Sequence, residues 1–256
     1  MASDERGDSQ SVGEQTALQQ RSETWRQMPS RIFAFLLSAD FFFIAVFALL
    51  VIVGRTHTRV FDVMTLDAET NPPSWYSAIQ LFVVAFPFLM LGSKLIPARG
   101  RANLPRLWLT LGIGLSFLSL DENVSLHEDL GPVLRRFGFG VSTHGGAAWI
   151  VIYLLVALAL VVWLRKDLVG AWREWRPEFL VFALGFAILI MGAGVIETVG
   201  HVMKLKGTIH YVEVGFEEGL EMIGVSVMAL PAYRIFSHSL TGLLDGDAEP
   251  DIPAEG

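Results

Sequence analysis

Glu197 and His201 lie four residues apart in GVIETVGH, an interval that puts both side chains on one face of a helix. Glu213, Glu217 and Glu221 repeat that interval in VEVGFEEGLEMIG, with Glu218 three residues before Glu221. In LSLDENVSLHEDLG, Asp121, Ser125 and Glu128 share a face, while Glu122 and His127 are turned away from it. Carboxylates and imidazoles without thiolates suit zinc, iron, manganese or, where histidines are few, harder cations. No lysine or arginine stands inside these stretches to offset the charge. In a low-dielectric setting the remedy is shared protons, a cation or a bound metal.

The expected site therefore binds a divalent metal, zinc or iron, through Asp121, Glu122, His127, Glu128, His201, Glu217 and Glu221. A catalytic zinc asks for three ligands and an open position. His127, His201 and one of Asp121 or Glu221 could supply them, with Glu197 or Glu218 as the base toward a metal-bound water. The di-iron bundle template needs Glu-x-x-His twice. Here no Glu-x-x-His occurs, so the likeness to it is loose. Competing readings are plain: glutamates at a helix start favour its dipole, and His57, His144 and His210 read as ordinary loop histidines.

The elements that must carry these residues are membrane helices. The chain has 256 residues, 52% of them hydrophobic and 18% charged, with a mean hydropathy of +0.49. A soluble domain carries about 25% charge. Several apolar runs of about 20 residues match the ~30 Å hydrocarbon core of a bilayer. The expected fold is an all-α, polytopic bundle of six transmembrane helices over 32–53, 74–96, 107–126, 147–164, 179–199 and 214–235. Residues 1–31 read as a polar, largely disordered tail with room for an interfacial helix over 14–27. Residues 32–236 read as the transmembrane domain, and 237–256 as an acidic disordered tail. The first apolar stretch is too long, and its polar leader too extended, for a cleavable signal. The absence of cysteine removes disulfides and thiolate chemistry.

Thirteen of the nineteen lysines and arginines fall in the two tails and the loops on their side. Both termini are therefore expected in the cytoplasm, in a cell (inner) membrane. Five of the six histidines and twelve of the twenty-six acids then sit on or near the outer side. At ~1.5 Å per residue, Asp121 and Glu221 both come out about 21 Å from the inner boundary and so share a depth. Asp40, a lone acid in the first span, is expected to pair with an arginine or a backbone donor, or to mark a proton path. Gly192, Ala193 and Gly194, with the Gly215-xxx-Gly219 pair, are expected to bring spans five and six together. Pro87 should kink span two. Glu69, Trp75 and Tyr76 read first as an interfacial helix start. Span four, uniformly apolar, is expected to face lipid.

The strings LDAETNPPSWYS, FLSLDENVSLHE and FEEGLEMIG resemble recurring features of an uncharacterised family of bacterial multi-pass membrane proteins. That resemblance covers the spans and outer loops and implies no particular activity. The alkaline ceramidase superfamily, with zinc on three histidines, expects a His-xxx-His pair near its last span. Only His238 follows His210 here. The leading expectation is a membrane metalloenzyme, a hydrolase or oxidase, acting on a lipid-like or membrane-partitioned substrate. The alternatives are a proton- or cation-coupled transporter using the same acids, and a non-catalytic subunit or scaffold of a membrane complex. The expected partners are the lipid bilayer and a homo-oligomer or membrane complex, with no nucleic acid.

Overall fold

The computed structural model describes residues 5–68, 70–96, 104–126, 136 and 148–244, with the backbone alone for 5–19, 21–22, 148–150, 201 and 242–244. Its elements are α1 (Glu5–Ile52), α2 (Arg59–Met64), α3 (Pro72–Gly92), α4 (Pro105–Val124), α5 (Ala148–Trp163), α6 (Arg165–Glu174), α7 (Arg176–Ile190), a π-helical turn (Met191–Ile196), α8 (Glu197–Met203) and α9 (Thr208–Leu244). No strand occurs among the described residues.

Among the described residues four helical stretches, not six, are long and apolar enough to cross a membrane: Glu23–Ile52, Pro72–Gly92, Arg176–Gly200 and Thr208–Thr241. The third and fourth expected spans fall short. Helix α4 gives its last turn to Asp121, Glu122 and Asn123. The described part of α5, Ala148–Trp163, is apolar throughout but has sixteen residues, about 24 Å at 1.5 Å per residue. The polar N-terminal segment is also helical from Glu5 onward and runs without a break into the first span. Nucleation is the costly step of helix formation, so a helix begun in apolar sequence extends cheaply into residues such as Gln, Glu, Ala and Leu. At the other end α9 continues to Leu244, which takes the first residues of the expected acidic tail into the helix.

Helix α9 is central and packs on α1, α3 and α7, while α3 and α4 lie against each other as a pair. Glycine allows the closest approaches. A Cβ on Gly112 would stand 2.8 Å from the backbone nitrogen of Leu89, and one on Gly224 would stand 2.6 Å from that of Leu189. Between these helices runs a core of Leu36, Val84, Phe88, Trp108, Met228 and Ala232, with Trp108 stacked on Phe88 at 5.7 Å. A smaller cluster of Phe47, Phe61, Leu66, Val214 and Met222 ties α2 to α1 and α9.

Two local signals set α3. Asn71 caps it, accepting from the Ser74 amide at 3.1 Å, and Pro72 at its first position lacks the N–H that would go unpaired there. Asn71 also donates to the Thr65 carbonyl, closing the loop before the helix. Pro87 leaves the Val83 carbonyl without its helical donor. The Tyr233 hydroxyl of α9 donates to that carbonyl at 3.0 Å.

Candidate functional site

The acids of α9 descend along one side of the helix, and the chain before them is built to receive that side. Gly192, in the π-helical turn, lies against Glu217 and Glu221: a Cβ there would be 2.6 Å from the Glu217 carbonyl oxygen and 2.8 Å from Glu221 Cγ. The wider turn then hands the chain to α8, which opens on Glu197. Such π turns break the i to i−4 ladder and concentrate at functional sites. Glu122 of α4, Glu197 of α8, and Glu217, Glu218 and Glu221 of α9 lie close enough to repel one another. Glu217 is also within hydrogen-bonding reach of Glu213.

Above this group is a rim. His210 faces Glu213 at 3.1 Å through Nδ1 and Asp67, from the segment after α2, at 3.5 Å through Nε2. The Glu213 carboxylate lies directly against Gly200, where a Cβ would make it shift. His210 is thus a bridge between two carboxylates, not an ordinary loop histidine.

Below the group lies Asp40, fully buried within the apolar stretch Glu23–Ile52 of α1. Its Oδ1 accepts from the Tyr76 hydroxyl at 2.5 Å and from Gln80 Nε2 at 3.0 Å. Its Oδ2 accepts from the Ser226 hydroxyl at 2.6 Å. Tyr76 also stands 2.8 Å from the Leu36 carbonyl. Gln80 Nε2 reaches the Met222 carbonyl at 3.0 Å and Ser226 Oγ at 2.8 Å. Every partner is neutral. The cage is complete in two forms. With Asp40 ionised, Tyr76, Gln80 and Ser226 all donate to it. With a proton on Oδ1, Asp40 donates to Tyr76, Tyr76 to the Leu36 carbonyl, and Gln80 to Met222 and Ser226.

Gln80 joins the two levels. It is fully buried, and its Oε1 has no hydrogen-bond partner among the described residues. The same side chain lines a cavity of about 10 Å³ with Ser77, Glu122, Leu189, Glu221 and Val225. From Glu213 through Glu217 and Glu221 to Ser226 the polar series covers fourteen residues of α9, about 20 Å along the axis. Beyond Asp40, toward the other end of α1, the interior is the apolar core around Leu36, Val84, Phe88 and Met228.

Of the residues expected from the sequence, the structure gathers Glu122, Glu197, Glu217, Glu218 and Glu221. Asp121 is buried and accepts from the Tyr153 hydroxyl of α5 at 2.9 Å, and Glu122, on the adjacent face, shares the cavity with Glu221. Equal depth placed Asp121 level with Glu221, but the rotation of α4 turns Asp121 toward Tyr153 and Glu122 toward the cavity. His127, Glu128 and Glu69 lie outside the described residues, and only the backbone of His201 is described. Among the described residues no group of three or more His, Asp or Glu side chains is arranged to hold a metal ion.

Tyr76, Gln80, Ser226 and Asp67 were not singled out by sequence reasoning as site residues. One signal existed: Tyr76 and Gln80 are four apart within an apolar helix. Ser226, five residues past Glu221, stands off the Glu217, Glu221 side and left none. The glycines also divide differently from expectation. Gly215 and Gly219 face Phe47 and Ile44 of α1, while Gly185, Gly192 and Gly224 make the contact between spans five and six.

A family model described as Domain of unknown function (DUF8692) matches residues 32–235, which include all the elements that build the acid cluster and the Asp40 cage. No curated protein and no solved structure matches the chain.

Proposed function

The chain belongs to the DUF8692 family, and from the residues that this domain encloses we propose that it is a proton- or cation-coupled membrane transporter, with Asp40 as the group that takes up and releases the proton. The observation that carries this reading is the Asp40 cage. A buried ionisable group in a membrane helix is costly and normally functional. This one is held by Tyr76, Gln80 and Ser226 in an arrangement that satisfies either protonation state. The acids of α9 supply access from one end, and the apolar core seals the other. Passage past that core needs a rearrangement of the bundle, as in transporters that expose a mid-membrane site to one side at a time. The π-helical turn beside the cluster is a suitable place for it.

The test is a flux measurement. In liposomes containing a pH-sensitive dye, with the potential clamped by potassium and valinomycin, wild-type protein should dissipate an imposed pH gradient faster than empty vesicles do. Asp40→Asn should remove the excess, and Glu221→Gln should slow it. A wild-type trace that overlays protein-free vesicles overturns the reading. The hydrolase or oxidase alternative requires a zinc or iron held by His127, Glu128 and His201 together with Glu217 and Glu221, and the contacts of the described residues lend it no specific support. The cytoplasmic placement of both termini belongs with the transport reading, because it turns the acid cluster outward.

A further inference from the structure

We propose that the cavity bounded by Gln80, Glu122 and Glu221 is a binding site for a single dehydrated monovalent cation of about the size of sodium. Three features converge there. First, the cavity, about 10 Å³ in volume, has room for one water-sized sphere. Second, two carboxylate side chains, Glu122 from α4 and Glu221 from α9, line it, with Glu197, Glu217 and Glu218 adding negative charge from nearby. Third, Gln80 is fully buried, its Nε2 is committed to Asp40, Met222 and Ser226, and its Oε1 is left without a partner. A buried acceptor left unmade costs about 1–3 kcal/mol. A hard cation on oxygen ligands satisfies that oxygen and offsets the carboxylates at once.

Size sets the class of ion. Calcium takes six to eight oxygens, and magnesium keeps several of its waters. A space for one water-sized sphere cannot admit either with its shell. An alkali cation gives up its water more readily, and the amide oxygen and the two carboxylates supply its contacts. The site rests on the transport reading only for what it would be coupled to. The other end of the Gln80 amide holds Asp40, so an ion on Oε1 polarises the N–H groups that donate to the Asp40 carboxylate.

The experiment is binding of radioactive sodium to the purified full-length protein, with choline chloride keeping ionic strength constant. Saturable binding is expected in wild type and in Glu174→Gln, an exposed site at the opposite end. Gln80→Leu and Glu221→Gln should weaken it by at least about tenfold, the loss expected for one charged or ion-bound ligand. If the first two variants fail to fold, Val225→Ile decides, because a smaller cavity should shift preference from sodium toward lithium. Wild-type protein that binds no sodium overturns the site, leaving a cavity for water. Calcium that displaces sodium at equimolar concentration overturns the monovalent class. Proton flux that persists without sodium binding sinks this inference alone, and sodium binding without proton flux sinks the transport reading alone.

Discussion

A carboxyl group in the middle of an apolar helix survives only if its surroundings replace what water supplied. For Asp40 the replacement is three side-chain donors on two other helices, Tyr76 and Gln80 of α3 and Ser226 of α9. Tyr76→Phe and Ser226→Ala each delete one donor with little change of shape. Each should lower stability by about 1–3 kcal/mol, the cost of a buried polar group left short of a partner, measured as a fall in unfolding midpoint in detergent. An unchanged midpoint in both would mean that the cage does not hold Asp40. At this scale the sequence was half legible. Asp40 stands out in SADFFF because a lone acid among phenylalanines has no ordinary role there. Its partners do not stand out, since serine, glutamine and tyrosine are tolerated singly in many helices. Only the packing of α1 against α3 and α9 brings them together.

Helix contacts in a membrane depend on close packing, because lipid tails are as apolar as the side chains they would replace. The glycines of α7 and α9 therefore decide how near the acid cluster can be drawn. Gly224 meets the backbone of Leu189 and Gly185 at 2.6–2.7 Å from where a Cβ would sit, and backbone cannot move aside. Gly224→Ala should cost about 1–3 kcal/mol, as overpacking does. Gly114→Ala is the control. Nothing lies within 4 Å of a Cβ there, so the gain in helix propensity should leave stability equal or raised by up to about 1 kcal/mol. Equal destabilisation by the two would show that general helix perturbation, not the α7/α9 crossing, sets the effect. The small-residue patterns were visible in the sequence, but a pattern says that something comes close without saying what. Gly215 and Gly219 turned to α1, and the contact of α9 with α7 and the π-helical turn fell to Gly185, Gly192 and Gly224. The π-helical turn left no sequence signal beyond the glycine-rich MGAGVI itself.

On the scale of the whole molecule, the ends differ in charge. One end carries Asp67, His210, Glu213 and the acids below them. The other carries Arg106, paired with Asp167 at 2.8 Å and set over Trp163 at 5.7 Å, together with Arg165, Lys166, Arg173 and Arg176. This asymmetry was legible from residue order alone. The number of spans was not, because hydrophobic runs do not show where a helix ends in acids, as α4 does. Helix α5 leaves Val151, Leu154, Leu155, Leu158 and Val162 exposed and reaches α4 through Tyr153. Orientation is the property that the transport reading needs most, because it decides which compartment feeds the acid cluster. Positive charge near span ends favours the cytoplasmic side, so the Arg106 and Lys166 end should face inward. The chain has no cysteine, so single cysteines report without background. Arg55→Cys and Lys206→Cys, both exposed at the acid end, should react with a membrane-impermeant maleimide on intact cells. Lys166→Cys, exposed at the basic end, should react only after the membrane is opened. The reverse pattern would place the cluster on the cytoplasmic side, so that protons would reach Asp40 from within the cell.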